Sequence, residues 1–149
     1  MATIRDLTAA IRQRPGVDAV VVLGRDGLLI DSQSRVAVDA EGLAARVPGI
    51  VASADDIGLA TGKGEMRIAL MEHENGYAVV SSVGDDALMC VLTSPAADLG
   101  SLLYDVRRHR DSIARLFQGS GAQQASDHIG TERGVGTLHR SGPLAVGLV

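Results

Sequence analysis

Between Met66 and Thr93 the chain passes through three apolar runs separated only by Glu74-Asn75-Gly76 and Gly84-Asp85-Asp86. Connections this short can join only antiparallel neighbours, because a parallel crossover needs a dozen residues or more. Asn-Gly supplies the positive φ that a tight hairpin turn requires. The first run, Met66 to Glu72, alternates, with Met66, Ile68 and Leu70 on one face and Arg67, Ala69 and Met71 on the other. Tyr77 to Val83 and Ala87 to Thr93 follow as the second and third strands of an antiparallel meander.

A separate hairpin precedes this meander. Val17 to Leu23 is a continuous β-branched run, which reads as a central strand buried on both faces. Gly24-Arg25-Asp26-Gly27 turns it, and Leu28 to Asp31 is the expected return strand. Three helices complete the chain. Ile4, Leu7 and Ile11 recur at helical spacing behind Thr3 as N-cap, and Pro15-Gly16 stops that helix. Asp39 caps the second, whose stripe is Leu43, Val47, Ile50, Ala54 and Ile57, ending at Thr61-Gly62-Lys63-Gly64. Pro48 interrupts that stripe, so a bend near Val47-Gly49 or a short first piece is expected. Ser94-Pro95 reads as the start of the third helix, with Leu99, Leu102, Leu103, Val106, Ile113, Leu116 and Phe117 on one side. His109 falls near that stripe and reads as structural.

The resulting fold class is α+β: a five-stranded antiparallel sheet flanked by helices, in the order α-β-β-α-β-β-β-α. Gln118 to Gly142 is rich in Gly, Ser and Gln and has no period, so a flexible tail is expected there. The expected organisation is one domain over 1–117 and a tail over 118–149, ending in the short apolar run Leu144 to Val149. Only 2% of the residues are aromatic, so aliphatic side chains must fill the core.

The net charge of −4 lies entirely in residues 1–117. With a net negative charge and few stacking aromatics, nucleic acid is not an expected partner. Cys90, the single cysteine, sits in the apolar run Leu88 to Leu92 and reads as a small buried filler. No apolar run approaches the ~20 residues of a membrane span, and the first residues lack a signal-peptide core, so a cytoplasmic setting is expected.

Candidate chemistry fails residue by residue. Gly58-Leu59-Ala60-Thr61-Gly62-Lys63-Gly64 has three residues between its first glycines and Gly64 after the lysine, where a phosphate loop has four and Ser or Thr. It reads as a helix C-cap. Asp55 and Asp56 point about 100° apart on a helix and read as solvated acids. Asp85 and Asp86 read as turn residues, and His73 has no second histidine at ligand spacing. No catalytic residue, cofactor site or metal site is therefore expected. The second helix instead carries small residues, Ala45, Ala52, Ser53 and Ala60, that allow a partner surface to approach closely.

The ordered set resembles the roadblock family, which includes roadblock-type dynein light chains and bacterial MglB-like small-GTPase regulators. It consists of the Pro15-Gly16-Val17 helix exit, the Asp26-Gly27 hairpin and the alanine-rich helix from Asp39 to Gly62 with Leu43-Ala44-Ala45. The Asn75-Gly76 meander and the segment after Ser94-Pro95 with Leu99-Gly100 complete it. The resemblance spans Ile4 to Phe117, and Pro48 departs from the family's continuous second helix. It implies a homodimer joined across the third strand, Arg67 to Glu72 with Ala69 and Met71, and a Ras-like small GTPase as partner. By position, Leu43, Ala45, Val51, Ala52, Asp55, Asp56 and Leu59 are implied to meet the twin subunit or the GTPase. Activation of GTP hydrolysis without a donated arginine is implied; Arg46 and Arg25 are the exposed candidates should one be donated. Two alternatives remain, a non-catalytic dimeric scaffold and a small-ligand sensor.

Overall fold

The structure, a computed structural model, describes residues 3–128, with side chains described through Leu116. Helix α1 spans Ile4–Arg12 and opens on a reciprocal cap. Thr3 Oγ1 accepts from the Asp6 N–H at 3.2 Å, and the Asp6 carboxylate accepts from the Thr3 N–H at 2.9 Å. The strands are β1 (Val17–Gly24), β2 (Leu29–Ser34), β3 (Ile68–His73), β4 (Gly76–Val83) and β5 (Ala87–Thr93). They pair antiparallel in the order β2-β1-β5-β4-β3. The β-branched run of β1 thus lies between β2 and β5 and is buried on both faces.

Alternation along the strands divides the core in two. Val20, Val22, Val79, Met89 and Val91 face α1 and the third helix, meeting Ile11, Leu102, Val106 and Ile113. Val21, Leu23, Val80, Leu88 and Cys90 face α2 (Ala40–Ala60), meeting Ala44, Val47 and Val51. Cys90 is the buried filler expected, and burial pushes its thiol pKa up to about 11. Gly76 is fixed by proximity as well as by its φ of 148°. A Cβ there would stand 2.0 Å from the Thr93 carbonyl oxygen.

Several local expectations give way. β2 starts at Leu29 and runs on to Ser34, leaving Leu28 exposed in the turn. β3 starts at Ile68, and Met66 packs on the α2 side with Ala69 and Met71, opposite to the face that simple alternation assigns it. The reason is a capture just before the strand, where the Asp55 carboxylate accepts the Met66 N–H at 2.6 Å. Pro48 neither breaks nor splits α2, which is one helix of 21 residues. The lost backbone bond costs about 3 kcal/mol, and burial of the flanking Ala44, Val47 and Val51 offsets it.

Ser94-Pro95 forms a turn instead of a helix start, because its backbone is engaged elsewhere: the Ser94 N–H donates to the Gly16 carbonyl. Helix α3 (Leu99–His128) begins after Asp98, whose carboxylate accepts from the Ser101 N–H at 3.1 Å. The expected boundary at 118 falls inside α3, and residues 129–149 of the expected tail lie outside the described residues.

Candidate functional site

Helix α2 presents two different faces along its length. Inward, the buried positions are Ala44, Val47 and Val51, followed by the half-buried Ala54, Asp55 and Gly58. The buried stripe is rotated by about one residue from the larger side chains Leu43, Ile50 and Ile57 that a seven-residue period selects. Leu43 and Ile50 are half-buried, whereas Ile57 is 68% exposed, so its expected place on the inner stripe is corrected. Small residues take the inner face near the helix end, which lets that end lie close to the chain that follows it. A Cβ on Gly58 would stand 1.8 Å from the Gly64 carbonyl oxygen. The Gly58 carbonyl itself accepts from the N–H groups of Lys63 and Gly64 at 2.7 and 3.1 Å. The segment is the helix cap expected, not a phosphate loop.

The outer face carries Ala45, Arg46, Ala52, Asp56 and Leu59, all exposed, with Leu59 at 64%. Val51, expected on this face, is 3% exposed against its own sheet and leaves the set. Asp55 also departs from the solvated reading, because its carboxylate ties the helix end to the start of β3. Arg46 is held along the helix, its Nη1 donating to the Gly42 carbonyl at 2.7 Å. Arg25, expected exposed, is half-buried, and its Nη2 donates to Ser82 Oγ at 3.0 Å.

Beside this face lies a free margin of the sheet. Among the described residues β3 pairs only with β4, so its other side offers unpaired backbone donors and acceptors. Ala69 and Met71 on β3 are half-buried toward α2, Leu70 is 47% exposed on the opposite face, and Arg67 precedes the strand exposed. Sequence periodicity did not single out Ile57 and Leu70 as surface residues; their large size at apolar positions points inward in any single-chain reading. The opposite margin, β2, is polar through Asp31-Ser32-Gln33-Ser34, and Asp31 is engaged by Thr8 of α1 at 2.8 Å.

Among the described residues no group of three or more His, Cys, Asp or Glu is placed to hold a metal ion. Among them, too, no helix is long and apolar enough to cross a membrane. What the geometry offers is a surface, an outward helix face of small and apolar residues beside an open strand edge.

Residues 3–93 match the model of the Roadblock/LC7 domain. The chain belongs to the Roadblock/LC7 family. It is 29% identical over 107 residues to an uncharacterized protein of Methanocaldococcus jannaschii, covering 72% of this chain and 93% of that one. Myxococcus xanthus MglB superposes with a TM-score of 0.72 at 19% identity, over 78% of this chain and 95% of MglB. A solved structure described as MglB with tetrameric arrangement superposes at 0.71 and 16% identity, over 76% of this chain and 86% of that one. In this Roadblock/LC7 chain the matched stretch ends with β5, and α3 follows it to close the second face of the sheet.

Proposed function

We propose that the protein is a homodimeric regulator of a Ras-like small GTPase. Two copies join across β3, and the paired outer faces of α2 form the docking platform. The observation that carries this reading is the exposure of Ile57 and Leu59 on a helix whose inner face is already filled, beside an unpaired strand edge. Exposed apolar side chains flanked by small residues are costly in water and productive at an interface. The relation to MglB and the tetrameric arrangement described for one MglB structure support assembly through this fold. Asp56, exposed on the same face, supplies rim charge for basic groups of the partner, which favours association rate and specificity over affinity. Arg25 is turned into a cleft and Arg46 lies along its own helix, so the regulator works by positioning the GTPase's own groups.

The test is single-turnover GTP hydrolysis by Ras-like GTPases of the same organism, with and without the protein. Acceleration that is lost in Leu59→Glu and Asp56→Lys supports a GTPase activator. A stable complex with unaltered hydrolysis selects the scaffold reading instead. Absence of both binding and acceleration across those GTPases rejects the regulator. In parallel, Ala69→Asp should reduce the mass seen by light scattering from dimer to monomer; an unchanged mass places the joining edge elsewhere.

A further inference from the structure

Five cationic side chains line one cleft of ≈ 1130 Å³: Arg25, Lys63, Arg67, Arg107 and Arg110. The cleft lies at the end of the sheet where β4 leaves and β3 begins, bounded by the β1–β2 turn, the α2–β3 loop and the flank of α3. Although Glu65, Asp85 and Asp111 also line it, none of the five cations forms an ion pair with a described carboxylate. The ion pairs among the described residues belong to Arg5, Arg14 and Arg35. Five cations against three acids leave the lining with a net charge of +2 in a chain of net charge −4, a local excess that favours an anion.

Two of the arginines are held by one end only. Arg25 donates through Nη2 to Ser82 Oγ at 3.0 Å, and Arg110 through Nη2 to the Arg67 carbonyl at 3.2 Å. That carbonyl also takes the Ser82 N–H at 2.9 Å, so a continuous set of bonds joins both arginines. The Nε atoms of Arg25 and Arg110 are nevertheless buried without an acceptor among the described residues. A buried donor left unpaired costs its full desolvation. The Nε–Nη edge is one on which a guanidinium grips two oxygens of one anion. Burial, and then the charge of Arg67 with a smaller part from Arg107, also hold the Arg110 pKa below its ordinary range, with Asp111 opposing them. An anion in the cleft would relieve both conditions.

We propose that this cleft binds a compact polyanion bearing phosphate groups, of the size of pyrophosphate or the phosphate chain of a nucleotide. Compactness follows from the exposed acids around it, since Glu65, Asp85 and Asp111 oppose the extended negative surface of a duplex or an anionic bilayer. Arg107 and Arg110 stand on α3, so the site forms only where α3 meets the end of the sheet. It does not rest on the proposed dimer or GTPase. Of the residues expected to meet a partner, Arg67 and the candidate finger Arg25 line the cleft.

The test is calorimetric titration of the full chain with sodium pyrophosphate at low salt, followed by competition with GTP. Saturable binding is expected, displaced by GTP and weakened about tenfold or more by Arg110→Gln. The double variant Lys63→Gln/Arg107→Gln changes two exposed residues, so it carries the same comparison should Arg110→Gln fail to fold. Arg5→Gln, outside the cleft, leaves binding unchanged. No binding at millimolar pyrophosphate, or equal binding by the wild type and the double variant, overturns the proposal. So does retention on phosphatidylglycerol vesicles or duplex DNA that pyrophosphate does not displace.

Discussion

The amino half of α2, residues 40–51, and its carboxyl half, residues 52–60, carry similar apolar content but opposite burial. In the first, Ala44, Val47 and Val51 are sealed against Val21, Leu23, Val80, Leu88 and Cys90. In the second, Ile57 and Leu59 stand in solvent while the inner face is reduced to Ala54, Asp55 and Gly58. One half is secured by side-chain burial. The other is held by backbone-directed bonds, with Asp55 capturing Met66 and the Gly58 carbonyl receiving the returning loop. A helix can therefore serve its own core with one end and free large apolar side chains for a partner with the other.

The largest expected effect breaks the two halves apart. Val47→Asp places an unpaired carboxylate at a position 1% exposed, and should cost about 3 kcal/mol or more, enough to threaten folding. Leu59→Glu, at 64% exposure, should change stability within about 0.5 kcal/mol while abolishing the association proposed for that face. Urea titration reads the first difference, and light scattering of the protein mixed with its GTPase reads the second. Equal destabilisation by both variants would show that the carboxyl half also serves the subunit's own core.

The same contrast explains what was legible in the sequence. β1, the Asn75-Gly76 and Asp26-Gly27 turns, and the caps at Thr3 and Asp39 are local devices, written in adjacent residues, and the structure has them where the sequence places them. The fold class followed from them. Failures came where distant residues compete for the same group. Asp55 takes a backbone N–H eleven residues away and delays β3; the Gly16 carbonyl holds Ser94 and moves the start of α3 to Leu99. On α2 the pattern offered two stripes about one residue apart, and packing against the sheet chose the one with smaller side chains. The cationic cleft was illegible for a different reason: Arg25, the pair Lys63 and Arg67, and the pair Arg107 and Arg110 come from three distant segments that meet only in three dimensions.

An intermediate effect probes the anchoring of the carboxyl half. Gly58→Ala forces a Cβ onto the Gly64 carbonyl, a backbone atom that can move only with its loop, and should cost about 1–3 kcal/mol. Asp55→Ala leaves the Met66 N–H without its acceptor and should cost about 1 kcal/mol. Hydrogen exchange distinguishes these from a general loss of stability. In both variants the amides of residues 58–68 should exchange faster while those of β1 keep their protection. Uniform acceleration across the sheet would mean that the two halves of α2 unfold as a single unit.

The smallest effect tests the amino half through a group already beneath it. Cys90 lies in the same cluster as Val47 and Val51, and burial raises its thiol pKa from 9.0 to about 11. Below pH 9 the folded and unfolded chains both hold the proton, so the thiol contributes no pH dependence. As pH climbs from 9 toward 11 the unfolded chain ionises first, and stability attached to the neutral buried thiol is progressively lost. By about pH 9.5 the loss should be just under about 1 kcal/mol relative to pH 8, and it should vanish in Cys90→Ala. Denaturant titrations of the two proteins across that interval measure it. An identical alkaline slope in wild type and variant would mean that water reaches Cys90 and that the amino half of α2 does not seal the sheet beneath it.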